Sequence, residues 1–123
     1  MDFQASSPQK APLYALYRNA SAVDSLPETV KAHGINMVDY SSAHIQVLPA
    51  GGANPTVKVM WWSEEAGKFI DEQVALTKAG IGADAGFEFT VNCLGRIMLV
   101  AVTVLAAGTA KILVSGADLW TAA

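Results

Sequence analysis

The chain has 123 residues, of which 52% are hydrophobic and only 15% charged, with a formal net charge of −3. That length fits one domain, and so low a charged fraction, against about 25% in ordinary globular chains, leaves little polar material to coat a lone subunit. Lys10, Arg18, Lys31, Lys58, Lys68, Lys78, Arg96 and Lys111 stand singly, which argues against a nucleic-acid binder, since that role calls for a clustered basic patch.

Residues 1–12, MDFQASSPQKAP, lack the basic start and apolar run of a secretory signal, so synthesis in a cytoplasm is expected. With Pro8 and Pro12 they read as an extended arm. Residues 13–19 (LYALYRN) form the first apolar run, an edge strand or docking segment in which Leu13, Tyr14 and Tyr17 are contact candidates. Ser25, Leu26, Pro27 and Glu28 have capping-box spacing and Gly34 is a stop, which predicts a two-turn helix over residues 26–33. No alternation spans residues 1–40. This stretch is therefore expected to be an arm, packed on other subunits or along the domain, with residues 41–123 as the folded body.

From Ser41 onward, short apolar segments alternate with glycine-rich loops. Strands are predicted at residues 43–48, 56–62, 68–76, 87–93, 96–106 and 109–115, with loops at 49–55 and 79–86 that no regular element would tolerate. Residues 117–123 are a tail carrying Trp120. The pattern predicts an all-β chain: an antiparallel β-sandwich or jelly roll with an N-terminal arm and at most one short helix.

The stretch that organises the rest is residues 96–107, RIMLVAVTVLAA, too short for a transmembrane helix and apolar on both faces of a strand. A two-residue hairpin loop at Leu94 and Gly95 would set Val91 against Met98, Phe89 against Val100 and Phe87 against Val102. A three-residue loop at 107–109 would set Val104 against Ile112 and Val102 against Val114. Phe87, Phe89, Val91, Met98, Val100, Val102, Val104, Ile112 and Val114 then share the core face. The opposite face carries Ile97, Leu99, Ala101, Leu105 and Leu113, a stripe large enough to mark a subunit interface.

The polar residues give no catalytic pattern. Glu64 with Glu65 and Asp71 with Glu72 are adjacent in a turn or strand, whereas acid–base pairs must converge on one point. His33, His44 and Cys93 lack the spacing of a metal site, and Cys93 continues the core-facing set. The glycine loop 80–86 has neither the lysine nor the hydroxyl of a phosphate loop. No cofactor, metal or membrane is expected. Trp61 and Trp62 point to opposite faces. With Val57, Val59 and Trp61 inward, Trp62 joins Lys58 and Met60 outside, where it could be covered by the arm, anchor a partner or stack on a sugar.

Residues 56–116, through TVKVMWWSEEAGKFI and GFEFTVNCLGRIMLVAVTVLAAGTAKILVSG, resemble small β-sandwich structural proteins of tailed bacteriophages, which decorate or cement capsids or build fibres and tails. The resemblance implies a homo-oligomer, commonly a trimer, seated on other virion proteins such as the major capsid protein, and it brings no catalytic residue. A non-enzymatic virion protein, capsid decoration or cement before fibre or tail, is the expected function. A carbohydrate-binding sandwich using Trp62, Trp120 or Tyr40 is the alternative.

Overall fold

The computed structural model describes residues 14–24, 28–93 and 96–117. Eight strands lie among them: β1 (Tyr14–Ala20), β2 (Ile35–Asn36), β3 (Ser42–Ala50), β4 (Thr56–Ser63), β5 (Lys68–Ala79), β6 (Phe87–Asn92), β7 (Ile97–Val104) and β8 (Thr109–Ala117). Sheet 1 has the order β1-β8-β3-β6 and sheet 2 the order β2-β7-β4-β5. All pairings are antiparallel.

The order has a simple logic. The first strand pairs with the last, the second with the seventh, the third with the sixth and the fourth with the fifth. One long hairpin of strand pairs is thus wound over itself into two layers, which is the jelly-roll arrangement of the expected sandwich.

Period-two alternation fills the interior. Ile45 and Val47 of β3, Val57, Val59 and Trp61 of β4, Met98, Val100 and Val102 of β7, and Ile112 and Val114 of β8 are all buried. Burying each such side chain contributes about 1.5–3 kcal/mol before the chain entropy is subtracted. Phe87 and Phe89 are half-buried at the margin of this core, with rings stacked 6.2 Å apart.

Three expectations are corrected. The last three strands are not a meander: β6 pairs with β3, while β7 lies in the other sheet between β2 and β4. Val91 therefore faces Ala43 instead of Met98, Val100 faces Val59, and Ile112 faces Val47. Residues 94–95 lie outside the described residues, and the chain on either side of them belongs to different sheets. Alternation fixes which face a side chain takes and is silent on which strand lies alongside, so the core face survives a wrong choice of neighbour. The exception is Val104, which ends β7 about half exposed. The third correction concerns the helix. Its described part holds only a 3-10 turn at Lys31–His33 preceded by extended Val30, and Gly34 lies flat against Phe69 and Ile97, where a Cβ would sit 2.7–2.8 Å from ring and methyl carbons. A helix there would lift this segment off the sheet.

One edge of β7 shows how the two sheets are tied together. Past its short pairing with β2, the Val102 carbonyl accepts the Asp24 N–H (2.9 Å) and the Val102 N–H donates to the Asp24 carboxylate (2.6 Å). Arg18, from β1 in sheet 1, donates to the Val100 carbonyl (2.9 Å) and grips Asp24 with two bonds of 2.5 Å. Burial disfavours the charged guanidinium, but Asp24 outweighs it and raises the Arg18 pKa above its ordinary value.

The crossover from β7 to β8 is tight. Gly108 has φ +68° and lies against the β3–β4 loop, where a Cβ would sit 2.0 Å from the Ala50 carbonyl oxygen. Gly67, in the β4–β5 turn, has nearly the same φ (+67°) and nothing within 4 Å. Gly67→Ala should therefore lose only the left-handed penalty, about 1 kcal/mol, and Gly108→Ala clearly more. Urea unfolding of both variants measures the gap, and equal losses would refute the close approach of the two loops.

Candidate functional site

Part of the outer face of sheet 2 is covered by the chain itself. Met60, Phe69 and Leu99 form a second buried cluster, with Trp62 and Ile97 packed on it. Residues 28–34 cross this face: the Glu28 carbonyl accepts the Phe69 N–H (2.8 Å), and Gly34 seats on Phe69 and Ile97. Trp62 is engaged on several sides. Its indole N–H donates to Glu64 (3.0 Å), its ring meets Phe69 edge-on at 5.1 Å, and the Lys31 ammonium lies 5.8 Å from its centroid. Lys31 also pairs with Glu64 and holds that carboxyl below its usual pKa.

Sheet 1 presents a different outer face. Leu16 on β1 lies opposite Leu113 on β8, and Leu48 on β3 is the diagonal neighbour of Leu113, since it faces Lys111. Leu16 is 54% exposed and Leu48 44%, with Leu113 half-buried between them. The three leucines make an oblique apolar stripe across three strands. Toward β6 the face becomes polar: His44 bonds Glu88 (2.7 Å) and Thr90 (3.1 Å), and Gln46 donates to Glu88 (3.3 Å). His44, then Gln46, lower the pKa of the Glu88 carboxyl. Beside them Gln46, Leu48, Gly86, Phe87 and Glu88 line a shallow pocket of about 190 Å³, smaller than the roughly 300–1,000 Å³ of small-molecule sites.

The candidate residues fall in several places. Ile97, Leu99 and Ala101 share the outer face of sheet 2, with Leu99 fully covered beneath the chain's own residues, and Met60 and Trp62 are there too. Leu105 lies in the main core. Leu113 alone of the five stripe residues lies on the outer face of sheet 1. The five therefore form no single surface, because β7 and β8 belong to different sheets. Tyr17 is half-buried with its hydroxyl on the His33 carbonyl (2.5 Å), and burial pushes its phenol pKa up. Tyr40 packs on the core, flat against Gly116. Leu13, Trp120 and the Tyr14 side chain are outside what is described.

Cys93 is buried, with its thiol on the Tyr40 carbonyl. Among the described residues no group of three His, Cys, Asp or Glu could hold a metal ion, and no helix is long and apolar enough to cross a membrane. The sequence reading passed over Leu16 and Leu48. Leu48 was within reach, since it keeps the parity of His44 and Gln46. Leu16 was not, because the β1–β8 register shifts between Leu16 and Arg18.

Leu99→Asp should unfold the subunit, costing about 3 kcal/mol or more, because a carboxylate would replace a fully covered side chain. A melting temperature near wild type would show that Leu99 is not enclosed by the Met60 and Phe69 cluster. The depressed Glu88 pKa carries a sign: its stabilisation is present above the ordinary glutamate pKa of about 4.3 and is lost as pH falls through the lower folded value. Glu88→Gln should therefore be less stable than wild type at neutral pH and converge with it in acid. A stability gap independent of pH would contradict the His44 contact. In comparisons with known proteins, no family model, no curated protein and no solved structure matches this chain.

Proposed function

We propose that this chain is a non-enzymatic structural protein that works as a homo-oligomer in a virion, decorating or cementing a capsid, with a fibre or tail part as the second choice in that class. The observation that carries the reading is the leucine stripe on the outer face of sheet 1: Leu16, Leu113 and Leu48 occupy outward positions that an isolated sandwich fills with polar residues. Lys111 and Asn19 border the stripe on one side and Gln46 and Glu88 on the other, so it has the apolar centre and polar rim of a protein contact. The paired ionic groups support the same role. Arg18 with Asp24, Lys31 with Glu64, and Lys58 with Asp71 tie separate elements of the body together.

The jelly-roll connectivity adds an analogy of fold, since capsid proteins and lectins both use it. Between those two, the engagement of Trp62 by Glu64, Phe69 and Lys31 favours the structural role over a stacking platform for sugar.

Light scattering coupled to size exclusion tests the reading. Wild type should run as an oligomer, and Leu113→Asp should lower its mass while moving the melting temperature by only a few degrees. A wild-type monomer, or a Leu113→Asp variant of unchanged mass, would count against it.

A further inference from the structure

The four edges of the two sheets are not alike. Edge β1 is interrupted by the register shift between Leu16 and Arg18. Edge β2 has only two residues. Edge β5 carries Lys68 and Lys78, gives its Phe69 N–H to Glu28, and loops out residues 72–75 where the pairing jumps from Met60↔Asp71 to Val59↔Leu76. Bulges, shortness and lysines are the devices that prevent a sheet from growing sideways. Edge β6 has none of them. Its sequence FEFTVN is regular in register with β3, free of proline and lysine, and rich in residues that favour strands. Among the described residues it pairs with β3 alone.

The direction of its unused backbone groups follows from one bond. The Cys93 N–H donates to the Ser41 carbonyl, so Cys93, and by alternation Val91, Phe89 and Phe87, direct their N–H and C=O toward β3. Glu88, Thr90 and Asn92 direct theirs away. An antiparallel copy of the same strand, centred on Thr90, matches all three: Thr90 meets Thr90, and Glu88 meets Asn92 on both sides of the axis. In that register the inward side chains pair Phe89 with Val91, an aromatic with a β-branched residue, and the outward face places no two like charges opposite each other. Centring on Glu88 instead would set two carboxylates together. Phe87 and Phe89, half-buried at this margin with the Lys78 ammonium 6.0 Å from the Phe89 centroid, would gain cover from the added strand.

We infer that two copies of this chain join antiparallel along β6, continuing sheet 1 across a two-fold axis at Thr90. This rests on the homo-oligomer reading above and adds to it a second contact, isologous and separate from the leucine stripe. A chain with one contact through a face and another through an edge can link its oligomers into a larger closed or extended array, as a cement needs.

Two variants test the edge. Thr90→Lys gives up the side-chain bond to His44 but leaves the backbone ladder with β3 intact, adds an outward charge on an exposed position, and brings two ammonium groups together at the axis. Its mass by light scattering should fall to that of the face-linked oligomer alone, whereas Leu113→Asp should leave dimers. Thr90→Cys treated with a short thiol-reactive bifunctional cross-linker should give a covalent dimer, since a hydrogen-bonded antiparallel pair holds its Cβ atoms too far apart for a direct disulfide. A Thr90→Lys mass equal to wild type overturns the edge contact, even where Leu113→Asp dissociates the oligomer and the face contact stands. Loss of assembly in Thr90→Lys with Leu113→Asp unaffected supports the edge and removes the face. A monomeric wild type, destabilised by Thr90→Lys, would mean that the chain's own residues 1–13 or 118–123 cover β6, and it overturns the proposal. Failure of Thr90→Cys to form a covalent dimer with the bifunctional cross-linker also overturns it.

Discussion

The fold depends on one short passage, the crossing from β7 to β8. Both strands are interior in their sheets: β7 lies between β2 and β4, and β8 between β1 and β3. Consecutive strands at the centre of opposite layers must be joined across the thickness of the sandwich in a few residues. Leu105 dips into the core, the Ala107 N–H returns to the Leu105 carbonyl (2.9 Å), and Ala106 and Gly108 take φ of +71° and +68° to make the turn. The Asn54 N–H bonds the Leu105 carbonyl as well (2.9 Å), so the β3–β4 loop is fastened to the same point. The Asp84 N–H joins the Ala53 carbonyl (2.7 Å), and the Asp84 carboxylate accepts the Gly52 N–H (2.8 Å). Three loops at one end of the sandwich are thereby held by backbone bonds, and the two sheets cannot slide independently there.

With that crossing in place, the outward apolar residues of the two central strands meet opposite fates. On β7, Leu99 is buried with Met60 and Phe69, and Ile97 packs on that cluster with Gly34 seated against it and Phe69. On β8, Leu113 emerges between Leu16 and Gln46. The same sequence texture thus buries apolar residues within the subunit on one face and leaves them at the surface on the other. Burial on the first face supplies folding energy, whereas an apolar stripe left at the surface supplies energy only when something docks on it.

Much of this was legible in the sequence, and the illegible part has a physical reason. The extents of β3, β4, β7 and β8 follow from alternation and flanking glycines. The inward set from Val57 to Val114 follows from parity, which is local. Neighbours are not local. The meander reading joined β6 to β7 and β7 to β8 as hairpins, the cheapest closure in loop entropy, whereas each of these connections crosses to the opposite sheet of the sandwich. The short helix predicted from Ser25–Glu28 spacing failed in a related way: its capping signal is worth about 1 kcal/mol, less than the contact of Gly34 and the chain around it with Phe69 and Ile97. Leu99 looked like an interface residue because nothing in its own strand reveals that Met60 and Phe69, from β4 and β5, bury it.

Edges complete the argument, because a sandwich has no closed rim and every terminal strand is a template for addition. The chain treats three of its edges at some cost in regularity: the β1 register shift, the shortness of β2 and the residues looped out of β5 each forfeit ladder bonds. Such irregularities are retained where unrestrained pairing would be harmful. A straight β6 beside three blunted edges is what the proposed edge pairing requires. Selectivity of that sort has little use in a monomer, whose edges are all equally in need of protection. It suits a subunit that must grow in one direction and stop in the others.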